Sequence, residues 1–272
     1  MAFADIDRDF RDSIAKIYES HFVPLIFESY AVDVANRLAT RPLTRVLEIA
    51  AGTGVVTRAL ASSLPPTVTI VATDLNQAMI DQAKAAGTSR PVAWRQADAM
   101  QLPFADESFD AVICQFGVMF FPDKAKAFAE VRRVLVPGGV FVFNVWDRIE
   151  ENEFAGEATN ALAGLFPDDS PRFMARTPHG YFDHAQIVHD LAEGGFSADA
   201  TITTVAARSR AASARDAAVA FCLGSPLRNE IEARDASMLG TVLETVTEAI
   251  AVRFGRGHIE GKIQAHVVVI ER

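Results

Sequence analysis

Between residues 44 and 145, short β-branched apolar runs alternate with stretches of helical periodicity, and this alternation constrains the fold more than any other feature. TRVLEI (Thr44–Ile49), VTIVAT (Val68–Thr73), Val92–Gln96, Ala111–Gln115 and VFVFNV (Val140–Val145) read as strands. Val55–Leu64, Asn76–Ala86 and Asp123–Leu135 read as helices between them, stopped in turn by Pro65-Pro66, Gly87 and the turn Pro137-Gly138-Gly139. The third of these helices places Ala127, Phe128, Val131 and Leu135 on one face. Strands alternating with helices build βαβ units, so the expectation is an α/β protein with a parallel sheet covered on both faces.

After Trp146 the rhythm breaks. Asp147–Gly180 is too long for an ordinary connection and is rich in Phe, Pro and acid. Ala185–Ala192 has helical spacing, Ala198–Ala207 alternates like a strand, Ser213–Phe254 is helical, and Ile263–Ile270 reads as a last strand. The expected organisation is an N-terminal helical lid over 1–39 and a binding core over 40–147. An insertion over 148–183 would then shape an acceptor pocket, and 184–272 would complete the sheet around a helical insertion over 213–254. Ser213–Phe254 is suited to act as a cap or as a homodimer interface.

At 272 residues, 50% apolar and 22% charged, the chain is long enough to bury a large core. Its 26 Lys and Arg against 35 Asp and Glu give a net charge of −9, with no basic run. That charge repels phosphate backbones and argues against nucleic acid as a partner. With two cysteines, Cys114 and Cys222, no disulfide framework is expected, and a reducing cytoplasm is the default setting. The acidic start, MAFADIDRDF, lacks the pattern of a signal peptide, and no apolar run reaches the roughly 18 residues of a membrane span.

The first strand runs into Glu48-Ile49-Ala50-Ala51-Gly52-Thr53-Gly54, with a helix opening at Val55. Small residues here let a ligand approach the backbone, and the helix start presents unpaired N–H groups. A dinucleotide fingerprint would need a third glycine where Thr57 stands, and no Lys-Ser or Lys-Thr follows to make a P-loop. The second strand ends in Asp74, 20 residues past Gly54, where a carboxylate is placed to accept from two ribose hydroxyls. A helix N-cap is its plainer role. Asp98 and Gln115 fall at the ends of the third and fourth strands, on the same sheet edge. For Asp98 too, a turn or cap is the plainer alternative.

Taken in order, VLEIAAGTG, ATDLNQAMI, QADAMQLPF, FDAVICQFGVMFFPD and VLVPGG resemble the motif series of a class I S-adenosylmethionine-dependent methyltransferase, most of all the small-molecule branch with the ubiquinone/menaquinone C-methyltransferases. The resemblance covers roughly residues 40–147 well and the last strand loosely. It implies a Rossmann-like seven-stranded sheet whose last strand is antiparallel. It implies S-adenosylmethionine as methyl donor, S-adenosylhomocysteine as product and no metal. By the same resemblance, Glu48 would orient the methionine amino group, and Ala50 and Gly52 would line the methionyl moiety. Asp74 would bind the ribose hydroxyls with Leu75 against the adenine. Asp98 would accept from the adenine amino group, the Ala99 N–H would donate to the ring, and Met79 would pack on it. Gln115 would present its backbone carbonyl to the methionyl amine. The family often has Gly-Cys where this chain has Ala50-Ala51, which crowds the cofactor slightly.

Methyl transfer from a sulfonium disperses charge, so alignment and water exclusion matter more than a strong acid or base. No dedicated catalytic residue is legible. Tyr18, His21, Phe22, Phe27 and Tyr30 are candidates for the lid, or for an amphipathic helix packed on the sheet. Trp146 is a candidate wall of the acceptor pocket, and His179, Tyr181 and His184 are candidate bases. The six histidines (21, 179, 184, 189, 258, 266) show no HxxxH pair, and there is no GxSxG elbow. An Asn/Asp-Pro-Pro-aromatic run is missing at Cys114–Gly117. The reading is therefore a methyltransferase acting on a small, partly apolar molecule. The alternatives are a nicotinamide-dependent oxidoreductase on a related sheet, or a binding protein that keeps the cofactor site without catalysis.

Overall fold

A computed structural model describes residues 7–10 and 12–272. The first six residues and residue 11 of the expected lid lie outside the described residues. Seven strands form one sheet: β1 (Arg45–Glu48), β2 (Thr69–Asp74), β3 (Ala93–Gln96), β4 (Phe109–Gln115), β5 (Leu135–Trp146), β6 (Thr201–Ala211) and β7 (Ile259–Glu271). Their order is β3-β2-β1-β4-β5-β7-β6. The pairs β1–β2, β1–β4, β2–β3 and β4–β5 are parallel. β7 is antiparallel, as expected: the Gly138 N–H donates to the Arg272 carbonyl, while the Asp147 N–H donates to the Gln264 carbonyl.

Helix boundaries follow local chemistry. Helix Val55–Ser63 starts at Gly54 and stops at Leu64, ahead of the two prolines. Helix Lys124–Val134 starts at Asp123, whose carboxylate accepts the Lys126 N–H at 2.9 Å. Helix His184–Glu193 is capped the same way by Asp183 on Gln186. The long connection after Trp146 holds helices Glu153–Leu165 and Phe173–Arg176. Ser213–Phe254 divides into helices Ala214–Leu223, Leu227–Asp235 and Leu239–Phe254.

One sequence expectation is overturned. Pro137-Gly138-Gly139 is not a turn ahead of β5 but part of it. Phe109 pairs with Leu135 and Ala111 with Val140, so five steps of β5 face two of β4. The surplus bulges out, with Gly138 at φ +76°, and Gly138 and Gly139 exchange hydrogen bonds with Arg272. The partner that draws these residues into the sheet is the far end of the chain, which local pattern does not reveal.

The chain divides into two compact units. One consists of Glu28–Val145, Tyr181–Val205 and Ala265–Arg272. Alternation along its β5 segment sorts the core: Val140 and Val142 join Val46, Ile70, Ile113, Leu60 and Leu38 in one buried cluster. Phe141 and Phe143 meet Phe128, and Phe141 also stacks on Phe196. Full burial on both faces is what a parallel strand requires, and each buried ring contributes about 2 kcal/mol.

The other unit runs up to Phe27 and adds Trp146–Gly180 and Ala206–Gln264. In it, Tyr18–Phe27 is a π-helix containing Pro24. The wider winding gathers Tyr18, Phe22 and Phe27, with ring centroids 5.2–5.7 Å apart, and Phe22 also meets Phe221. Among the described residues no helix is long and apolar enough to cross a membrane.

Candidate cofactor site

The carboxyl ends of β1, β2, β3 and β4 lie along one edge of the parallel sheet, and the strand order reverses between β1 and β4. In doubly wound sheets that is where ligands bind. Glu48, Asp74 and Gln115 are the last residues of β1, β2 and β4. Asp98 and Ala99 follow β3. All belong to the unit that contains Glu28–Val145.

Between β1 and helix Val55–Ser63 the chain makes a tight turn. Ala50, Gly52 and Gly54 all have positive φ, at +51°, +56° and +84°. Gly54 has a second constraint, because a Cβ there would sit 2.8 Å from the Trp94 ring. Ala50 adopts this backbone without being glycine. Phe116, immediately after β4, does the same at φ +51°. Two non-glycine residues held in this region at adjacent strand ends store strain of the kind found at ligand sites. Phe116 is held there by Asn144, whose Oδ1 accepts the Phe116 N–H at 2.9 Å, and by the ring of Tyr30, packed edge-on at 5.3 Å.

Asp74 is buried, and each of its oxygens accepts a backbone N–H: Oδ2 from Gly52 and Oδ1 from Asn76, both at 2.8 Å. Burial raises its pKa, and these N–H groups oppose the rise. The contact to Asn76 is an Asx turn leading into helix Gln77–Ala86, whose N-cap is Asn76 itself, so Asp74 does not take the capping role weighed from sequence. The contact to Gly52 joins the carboxylate to the glycine turn as well. Glu48 is enclosed, and its Oε2 accepts the Thr57 hydroxyl at 2.5 Å. Burial pushes its pKa up to about 8; the Thr57 hydrogen bond opposes this and the charge of Asp74 reinforces it. Glu48 is therefore largely protonated at neutral pH.

Asp98 makes the local turn weighed as its plainer role. Its Oδ1 accepts the Met100 N–H at 2.9 Å, and its carbonyl accepts from Gln101. Ala99 and Met79 are buried, whereas Leu75 is exposed. The Gln115 side chain accepts from Asn144 Nδ2 at 3.5 Å.

Sequence reading passed over three residues. Thr57, noted only as a missing glycine, is the partner of Glu48. Asn144, the one polar residue in the VFNVW run, ties β5 to Phe116. Thr53 is buried, and its hydroxyl has no partner among the described residues. A lone polar residue within an apolar strand was the available signal for Asn144; nothing local marked Thr53.

Of the other candidates, Tyr18, Phe22, Phe27, Trp146 and His179 lie in the unit that contains Trp146–Gly180. There the Ser20 hydroxyl lies 2.8 Å from His21 Nδ1. Tyr181 donates to Asp190 at 2.8 Å, and His184 packs edge-on against His266 at 4.3 Å. Among the described residues no group of three or more His, Cys, Asp or Glu could hold a metal ion.

A sheet of this order, with an acid ending β2 beside a glycine turn, defines an α/β protein of the methyltransferase class. A methyltransferase-domain family profile matches residues 47–143. The ubiquinone/menaquinone biosynthesis C-methyltransferase of Cupriavidus metallidurans is 33% identical over 182 residues, covering 62% of this chain and 73% of that protein. Its counterpart in Ectopseudomonas mendocina is 38% identical over 138 residues, 49% of this chain and about half, 51%, of that protein. Among solved structures, phosphoethanolamine N-methyltransferase 2 of Haemonchus contortus, in complex with phosphomonomethylethanolamine and S-adenosylhomocysteine, superposes with a TM-score of 0.60. It shares 17% identity and is matched over all of this chain and 61% of that one, which bears on the fold alone. The chain belongs to the class I S-adenosylmethionine-dependent methyltransferases, the family it shares with these quinone C-methyltransferases. The comparisons lend no support to the nicotinamide oxidoreductase alternative.

Proposed function

We propose that this methyltransferase acts on a small, partly apolar molecule in the cytoplasm, holding its donor at the edge formed by Glu48, Gly52, Asp74, Asp98 and Gln115. The observation that carries the assignment of the site is the Asp74 carboxylate. Gly52 and Asn76 fix it by one N–H on each oxygen, and two acceptor atoms on one rigid group match a vicinal diol. S-adenosylmethionine, when bound, supplies a methyl group activated by a sulfonium sulfur and displaced in line.

The rest is the work of the chain. Asp74 holds the ribose, and the small Ala50 and Gly52 leave room for the methionyl arm. Glu48 and the Gln115 carbonyl take the amino group, while Asp98, Ala99, Leu75 and Met79 frame the adenine. Alignment and exclusion of water then account for the rate, with no acid or base required when the acceptor arrives as a nucleophile. The relatives named for quinone C-methylation favour a planar apolar acceptor, and the charge of −9 disfavours nucleic acid. Calorimetry with S-adenosylhomocysteine tests the donor site. Turnover of phenols, quinols and amines separates an active enzyme from a binding protein, since an inactive chain would bind the nucleoside and methylate none of them.

A further inference from the structure

Asp98 and Ala99 sit in a four-residue turn, Asp98–Gln101, inside the unit that contains Glu28–Val145. The turn is fixed at both flanks. Just before it, the Ala97 N–H donates to the carbonyl of Asp74 at 3.0 Å. Just after it, both backbone polar groups of the buried Leu102 are taken by two side chains of helix Lys124–Val134. The Leu102 N–H donates to Glu130 Oε2 at 2.7 Å, and the Leu102 carbonyl accepts from Arg133 Nη2 at 2.9 Å. Within the turn, the Met100 N–H tethers the Asp98 carboxylate itself.

Glu130 and Arg133 lie three residues apart on one helix face and brace each other. Arg133 Nε and Nη2 donate to the two oxygens of Glu130, each at 2.8 Å, a fork that fixes both groups. Those hydrogen bonds hold the Glu130 pKa below the ordinary carboxylate value. Arg133 Nη1 reaches further along the same loop, to the Phe104 carbonyl and to Asp106, both at 2.8 Å. From β3, Arg95 Nη1 adds a contact to the Pro103 carbonyl at 3.1 Å. The loop is therefore set by an ion pair nearly 30 residues downstream, and the part of it held on both backbone groups adjoins Asp98–Gln101.

We propose that Glu130 and Arg133 are positioning residues for base recognition: by gripping Leu102 they hold Asp98 and Ala99 in the register that matches the edge of adenine. The inference rests on the methyl-transfer reading and deepens it. In that reading the Asp98 carboxylate accepts from the adenine amino group while the neighbouring Ala99 N–H donates to the ring. An acceptor and a donor on adjacent residues read a base only if the turn carrying them stays in place, because a displacement of about 1 Å already breaks hydrogen-bond geometry.

The probes are S-adenosylhomocysteine and S-inosylhomocysteine, titrated by calorimetry against the full chain. Hypoxanthine has an oxygen where adenine has its amino group, and an N–H where adenine has a ring lone pair, so it opposes both hydrogen bonds of the turn. The wild type is expected to prefer the adenine nucleoside roughly 30-fold. E130A and R133M are expected to bring the two within about threefold, while E130Q, which keeps an oxygen for the Leu102 N–H, should retain a preference of about tenfold. R133K keeps the charge, cannot form the fork, and should also lose part of the preference even if the harsher variants fail to fold. Leu38→Ala, in the buried core of the same unit, should lower the unfolding midpoint and leave the ratio of the two affinities at its wild-type value. A merely structural role for the pair would lower stability in every variant and leave the ratio alone. An unchanged ratio in E130A, R133M and R133K, or an equal fall in Leu38→Ala, would overturn the proposal and leave the methyl-transfer reading standing. Equal binding of the two nucleosides by the wild type would remove the adenine role of Asp98 and the proposal with it. A wild type that binds neither would sink the methyl-transfer reading itself.

Discussion

The Thr57 hydroxyl donates to the Glu48 carboxyl at 2.5 Å, from the place where a dinucleotide fingerprint would put its third glycine. What looks in sequence like a departure is thus the one side-chain hydrogen-bond partner, among the described residues, of an enclosed acid. Thr57→Val keeps the shape and removes the donor, leaving a buried carboxyl unsatisfied. It should cost about 1–2 kcal/mol in denaturant unfolding and raise the Glu48 pKa further. A loss of under a few tenths of a kcal/mol would show the contact to be incidental.

Glu48 and His179 make opposed contributions to the pH dependence of stability. Glu48 rises from an ordinary 4.5 to about 8 on folding, so over that range the folded chain binds more protons than the unfolded one. Its contribution is intact below pH 4.5 and is lost as pH climbs towards 8. His179 falls from 6.5 to about 4, so the unfolded chain binds more protons in that window, and stability is lost as pH drops from 6.5 to 4. E48Q should flatten the alkaline side and H179Q the acidic side of the stability curve. A curve unchanged by either variant would contradict these assignments.

If Glu48 takes the methionyl ammonium, a cation arriving beside a protonated acid favours ionisation. Binding of S-adenosylhomocysteine near pH 7 should then release protons. Calorimetry in two buffers of different ionisation heat would detect this as unequal apparent enthalpies, and E48Q should remove the difference.

Gly117 lies against Ala50. A Cβ on Gly117 would fall 2.5 Å from Ala50 Cβ and 2.7 Å from Cys114 Sγ. Gly117→Ala should therefore destabilise by about 2 kcal/mol through overpacking alone, its own φ of −99° being unstrained. Ala50→Gly relieves a left-handed alanine and makes room at the same spot. The double variant should recover about 1 kcal/mol of the loss, a coupling read from a double-mutant cycle. Simple additivity would mean that the two sites do not share the space.

The strands that position the site were readable because parallel strands are buried on both faces and appear as short apolar runs. Asp74 was readable because the acid and the glycine turn occur together at the expected interval. What escaped depends on distant partners. Gly138 and Gly139 become strand only because Arg272 pairs with them, and Asn144 matters through Phe116, 28 residues away. The π-helix over Tyr18–Phe27 encloses a proline that local rules read as a breaker, and it is the ring contacts of Tyr18, Phe22 and Phe27 that reward the wider winding.

The most direct test is a crystal structure with S-adenosylhomocysteine bound. Both ribose hydroxyls should lie within about 3 Å of Asp74, with the thioether chain along Ala50 and Gly52. A nucleoside seated elsewhere, or one whose ribose turns away from Asp74, would contradict the account.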